Sequence, residues 1–313
     1  MNTTLQRKIV LITRATRLVE LVARYNSLGQ ARFYVEHQRA DFSDYVREDE
    51  TYRIAISKAQ AALGSLARVQ IVDRSFLPNF VFSPDDAVVA LGQDGLVANT
   101  LKYLDGQPLI GVNPDPERWD GRLLPFRVAD LPKIVPEVLG RNRPTRTVTM
   151  ARATLNDGQI IHGVNDLFIG QKTHTSARYV ISVANRTETQ SSSGVVVSTG
   201  MGSTGWLTSL VTGAAAITHK GTAGIIRDAK LTTDFKWDAD HLCYTAREPF
   251  PSKTTGASVV FGHVTSERPL MIDSRMPENG VIFSDGIEKD FLEFNSGARA
   301  VITISEKKGL LVV

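Results

Sequence analysis

The sequence contains one cysteine, Cys243, which excludes an intrachain disulfide and any site built from several thiolates. A reducing compartment fits that usage. The six histidines are dispersed, without HExxH or a comparable ligand spacing, so no protein-caged zinc site is expected. Aromatic residues make up 7% of the chain, and nowhere are Lys and Arg clustered and interleaved with them. Lys and Arg number 36 against 33 Asp and Glu, and the resulting +3 suits small anions. It is too weak and too dispersed to argue for nucleic acid. No apolar run is long enough to span a bilayer, and the run from Ile9 to Ile12 is far shorter than a signal-peptide core. The expectation is an unprocessed cytoplasmic protein that binds neither nucleic acid nor membrane. What remains is an ordinary globular composition, 42% hydrophobic and 22% charged, in 313 residues that suffice for two cores.

The first part of the chain alternates strand and helix signals. KIVLIT (8–13) is a short β-rich run of the kind buried in a parallel sheet. Leu18, Leu21, Val22 and Tyr25 follow at helical spacing, and Tyr52, Ile56, Ala59, Leu63 and Leu66 form the stripe of a longer helix. VQIVD (69–73), AVVAL (87–91) and PLIGV (108–112) read as further strands, with a short helix over 94–104 before the last. This order implies an open parallel, Rossmann-like α/β sheet.

The character changes at RNRPTRT (141–147). Beyond it, Ile161, Leu167 and Ile169 alternate with Ile160, Val164 and Phe168, and Tyr179, Ile181 and Val183 form a second row. VVVS (195–198), ASVVFGHV (257–264), AVITI (300–304) and LLVV (310–313) add strand signals, interrupted by one helix at about 203–217. The reading is a phosphate-binding α/β domain over 1–140 and a mostly β, sandwich-like domain over 141–313, its last strands available to return toward the first.

Three segments carry chemistry. Gly92-Gln93-Asp94-Gly95 joins strand AVVAL to a helix, where glycines admit a phosphate and the helix N-terminus attracts it. A carboxylate there suits a base for an incoming hydroxyl or a partner of Mg²⁺; a plain turn with an N-cap aspartate is the competing reading. Ser198-Thr199-Gly200-Met201-Gly202-Ser203-Thr204-Gly205-Trp206 packs three glycines and four hydroxyls into nine residues. Such a loop wraps a phosphate or ribose, or makes a tight strand-to-helix turn capped by Ser203, while Trp206 stacks on a base or packs. Asn165-Asp166 interrupts an apolar strand, as ligand contacts or as a β-bulge or strand end.

In this order and spacing the three segments resemble the NAD kinase family, whose members carry a GGDG loop, an Asn-Glu pair on a strand and a segment like DGxxxSTPTGSTAY. GVNPDPERWDGRLLPF (111–126), NDLFIGQKTHTSARYVIS (165–182) and SSSGVVVSTGMGS (191–203) are most similar to the mitochondrial-type branch. TRATRLVE and DGIEKDFLEFNSGARAVIT match more weakly, and 213–255 has no clear counterpart. The resemblance implies ATP-dependent phosphorylation of the 2′-hydroxyl of NAD. Asp94 would be the general base, and Gly92, Gln93 and Gly95 would hold ATP phosphates with Mg²⁺. Asn165, Asp166, Thr204, Gly205, Trp206 and Ser209 would contact NAD, and the enzyme would be a homodimer or homotetramer. The chain departs from the pattern at Gln93 for Gly, Leu96 for a hydroxyl residue, Asp166 for Glu, and Ser193 for Asp. A weakly active NAD(P)-binding regulator and a lipid or diacylglycerol-type kinase are the competing functions.

Overall fold

The computed structural model describes residues 7–221, 233–287 and 290–313. Residues 222–232, within the segment lacking a counterpart, and Glu288-Lys289, within the C-terminal match, lie outside the described residues. The chain forms two compact units, residues 1–146 with 310–313, and residues 147–309.

In the first unit β1 (Lys8–Thr13) is buried at every position but its first, as expected of a strand with both faces covered. Thr16 ends the connection by capping α1 (Arg17–Tyr25), its hydroxyl accepting the Val19 N–H. α2 (Leu28–His37) and α3 (Phe42–Gly64) follow, capped by Ser27 and Asp41. α2 is absent from the sequence reading because its only buried residues are Ala31 and Val35, too few for a stripe.

β2 (Arg68–Asp73), β3 (Ala87–Leu91), α4 (Asp94–Leu101), β4 (Pro108–Asn113) and β5 (Phe126–Arg127) continue the parallel pattern. The sheet order is β2-β1-β3-β4, with Leu310 and Leu311 joining β4 in parallel. β5 pairs with the far end of β4. α5 (Leu131–Leu139) was not read from the sequence, since Pro132 and Pro136 both signal breaks. Pro132 sits in the first turn, where its missing N–H costs nothing, and Ile134, Val135 and Val138 are buried against the sheet.

The second unit holds most of β6 (Thr145–Leu155), which begins inside the polar stretch 141–147. Then come β7 (Ile160–Gly163), β8 (Asp166–Gln171), β9 (Ala177–Val183), β10 (Arg186–Ser192) and β11 (Val195–Ser198). A π-helical turn over Ser203–Leu207 leads into α6 (Thr208–Gly221), so the single helix read at 203–217 is two pieces kinked at Gly205. β12 (Leu242–Ala246), β13 (Phe261–Val264), β14 (Leu270–Ser274), β15 (Gly280–Ser284), β16 (Phe291–Glu293) and β17 (Arg299–Val312) complete it. AVITI and LLVV are one strand, β17, whose last residues belong to the first unit. ASVVFGHV is a strand only from Phe261, because the Glu188 carboxylate takes the N–H groups of Ser258 and Val259.

Within this unit β10-β9-β14-β17 form one antiparallel set and β13-β12-β11-β8-β15-β16 a second sheet. Leu167, Ile169, Val195, Val197, Leu242 and Tyr244 from the second pack against Tyr179, Ile181, Leu270 and Ile302 from the first. That is sandwich packing, and it consumes one face of β8, β11 and β12. The opposite face of those strands carries the polar residues described next.

Candidate active site

At the carboxyl end of β3, Gly92 leaves the sheet with its N–H donated to Val112 O (3.1 Å). A Cβ at Gly92 would lie 2.8 Å from Leu96 Cδ2, so the turn requires glycine unless Leu96 moves. Gln93, not Asp94, is the N-cap of α4, without a side-chain cap bond among the described residues, and Asp94 and Gly95 are the first helical residues. Asp94 Oδ1 accepts the Leu123 N–H at 2.8 Å, and among the described residues this is the only hydrogen bond of its carboxylate. One carboxylate oxygen is thus anchored to the 111–126 segment while the other is open, beside the positive end of α4. Gly95 is exposed and faces open space, whereas Leu96 is buried and belongs to the packing.

The chain after β1 lines the same edge, which the sequence reading missed. Tyr52, from α3, donates to Leu91 O (2.7 Å) and accepts the Arg14 N–H (3.0 Å); burial pushes its hydroxyl up to about 12. Arg14 pairs with Glu48 (2.9 Å), and its Nε is buried without a hydrogen-bond partner among the described residues. Arg17 joins Glu48 and Asp44, and Arg118 meets Asp44 at 2.7 Å. The Arg118 and Arg17 guanidiniums hold Asp44 well below the usual carboxylate range. The signal was present as the two arginines of TRATR directly after a strand. A cavity of about 390 Å³ between Arg7, Asp86, Pro108 and Arg143 lies at the opposite edge of this unit, at the strands' amino ends, away from Asp94.

In the second unit, Asn165 and Asp166 meet the root of the Ser198–Trp206 loop. Thr199 donates its N–H to Asn165 O (2.9 Å) and its hydroxyl to Val164 O (2.5 Å). A Cβ at Gly202 would fall 2.2 Å from Asn165 O, and one at Gly200 1.9 Å from Lys236 O, so no side chain fits either place. Ser203 does not cap a helix; its hydroxyl donates to Gly200 O at 2.8 Å. The Asp285 carboxylate, from the turn after β15, accepts the N–H groups of Val164 (3.0 Å), Asn165 (2.6 Å) and Asp166 (3.3 Å).

Asp166 opens β8, with Ser198 and then Cys243 and His263 opposite it in register across β11, β12 and β13. Directly paired residues share a face, so these four form one polar row. Asp166 Oδ1 is buried without a partner among the described residues, and burial pushes the carboxyl up to about 7 against the Ser198 hydrogen bond that opposes it, with the Asp285 charge adding to the rise. Trp206 packs: its ring stacks on Phe168 at 5.7 Å with the Arg247 guanidinium 5.4 Å from its centroid. Thr204, Gly205 and Ser209 are exposed, and Ser209 donates to Gly205 O. The structure also gathers His241, Cys243 and His263, whose ligand atoms all lie within 4.8 Å of one another. Sequence spacing did not reveal this group, because His263 joins it only through the β12–β13 register.

A parallel α/β unit with its polar loop at the strands' carboxyl ends, joined to an antiparallel two-sheet unit, is a fold shared with solved structures. The particular structures are NAD and NADH kinases. The chain is similar to an NAD kinase from Archaeoglobus fulgidus in complex with ATP, at 15% identity and a TM-score of 0.54, covering 98% of this chain and 94% of that one. It is likewise similar to yeast NADH kinase complexed with NADH, at 14% identity and a TM-score of 0.55, covering 100% and 84%. No family model and no curated protein matches the sequence. The likeness establishes the fold. Among the described residues no helix is long and apolar enough to cross a membrane.

Proposed function

We propose that the chain is an NAD kinase, of the mitochondrial-type branch by its sequence segments, that transfers the γ-phosphoryl group of ATP to the 2′-hydroxyl of the adenosine ribose of NAD. The observation that carries this reading is Asp94, with one carboxylate oxygen fixed by the Leu123 N–H and the other open at the α4 N-terminus. Phosphoryl transfer asks mainly for positioning and charge neutralisation, and little covalent chemistry from the protein. The first turn of α4 offers N–H donors to phosphate oxygens, with Gly92 admitting close approach and Gln93 replacing a glycine of the family loop. Asp94 would orient the attacking hydroxyl and take its proton.

Mg²⁺ fits this donor set as an ion held by ATP phosphates, because Asp94 offers one open carboxylate oxygen and no acidic cage surrounds it among the described residues. When bound, it neutralises phosphate charge. In the second unit Asp166, with its unpartnered Oδ1, would accept from the adenine or ribose of NAD, and Asn165, Thr204, Gly205 and Ser209 would line the same pocket. Trp206, already stacked on Phe168, would form its wall. A homodimer or homotetramer in the cytoplasm is the proposed working form.

The test is incubation of pure protein with ATP, Mg²⁺ and NAD, with NADP as the readout and calorimetry of NAD alone beside it. NADP formation supports the kinase. NAD binding without product would replace it with the NAD(P)-binding regulator, and phosphorylation of a diacylglycerol but not NAD would favour the lipid kinase.

A further inference from the structure

We propose that His241, Cys243 and His263 form a three-ligand site for a borderline-soft divalent cation of the zinc class, with its fourth position open. Cys243 and His263 lie on two neighbouring strands of the second unit, β12 and β13. His241 immediately precedes β12 and lies two residues before Cys243, so strand alternation puts both on one face. His263 is the direct cross-strand partner of Cys243. Two imidazoles and a thiolate are the donor set that selects zinc and its neighbours over Mg²⁺ or Ca²⁺, which take oxygen ligands.

The spread of 4.8 Å is close to what coordination needs. Tetrahedral bonds of zinc length place such donors about 3.3–3.6 Å apart. Rotation of the two histidine side chains covers the remaining ångström or so, since His241 and His263 are not buried. The surroundings suit an ion as well. Asp240 Oδ1 lies 3.4 Å from His241 Nδ1, the place of the outer-shell carboxylate that orients a ligating imidazole. The Phe235 ring stacks on His241 at 4.7 Å and Phe261 flanks His263 at 6.4 Å, giving apolar walls. The His241 and His263 rings sit 4.9 Å apart at 82°, an arrangement that a shared ion would stabilise.

The site continues the row Asp166-Ser198-Cys243-His263. An ion there would brace β12 and β13 one strand beyond Ser198, the residue that opens the Gly200–Gly205 loop. The inference does not depend on the kinase reading, because both its evidence and its test concern the metal alone.

The experiment titrates chelator-treated full-length protein with Co²⁺, without nucleotides, and follows tetrahedral absorption and the thiolate-to-cobalt charge-transfer band. The expected result is saturation at a single equivalent, displaced by Zn²⁺. Cys243→Ala should abolish the charge-transfer band, and His263→Ala, a change at an exposed side chain that leaves folding intact, should weaken binding by at least about tenfold. Zn²⁺ should raise the melting temperature of the wild type and of neither variant. No Co²⁺ binding, or binding that survives His263→Ala unchanged with no charge-transfer band in the wild type, overturns the proposal.

Discussion

Asp166→Asn isolates the least comfortable group in the second unit. In the folded protein burial pushes the Asp166 carboxyl up to about 7, against an ordinary value near 3.8 in the unfolded chain. The folded state therefore holds this proton more tightly than the unfolded state. Below about pH 4 both states are protonated and the residue contributes nothing. Between about pH 4 and 7 the unfolded chain releases the proton first, so stability falls as pH rises, and above about 7 the loss is complete. Each pH unit is worth about 1.4 kcal/mol, so between about pH 5 and 8 the wild type should lose on the order of 3 kcal/mol through this residue. Asn keeps the shape and removes the titration. Urea unfolding at the two pH values, in both proteins, reads the difference directly. The wild type should lose about 3 kcal/mol more than the variant on going to the higher pH; parallel pH profiles would refute the claim that Asp166 is buried and underpaired. If the ionised carboxylate accepts from NAD, NAD affinity should also fall below about pH 7 in the wild type.

Asp285→Asn removes the charge from a clamp on three successive N–H groups and should cost about 1.5–3 kcal/mol in urea unfolding, while lowering the Asp166 pKa measured by NMR. Gly202→Ala would drive a methyl group toward Asn165 O, 2.2 Å from the new Cβ, so a destabilisation of about 1–3 kcal/mol with weaker NAD binding by calorimetry is expected. Tyr52→Phe deletes the bond to Leu91 O and leaves the Arg14 N–H unpaired, which should cost about 1–3 kcal/mol on chemical denaturation.

The parts of this fold that were legible in the sequence are those whose pattern is local. β1 and β3 are apolar on both faces and read as parallel strands without help from elsewhere. The Gly-rich loop announces itself because Gly200 and Gly202 meet carbonyls where no Cβ fits. Illegible parts depend on distant partners. β10, RTETQSS, looks polar throughout, yet Gln190 and Ser192 are buried because the Tyr179 hydroxyl bonds both across the strand pair. α5 was hidden by its prolines, and Asp285 holds the Asn165-Asp166 turn from 120 residues away. The His241–Cys243–His263 group exists only in the register of two strands separated by a long connection. The sequence leaves Trp206 open to stacking on a base or packing, and it packs on Phe168, a pairing that no spacing rule specifies.

The central claim is that Asp94 serves phosphoryl transfer to NAD through its open carboxylate oxygen. Single-turnover measurement with ATP, Mg²⁺ and NAD, comparing wild type with Asp94→Asn and following NADP, tests it most directly. The account predicts product with the wild type and a loss of at least about a hundredfold in rate with Asp94→Asn, at nearly unchanged NAD affinity by calorimetry. Equal rates in the two proteins, or no NADP from a wild type that binds both nucleotides, would contradict it.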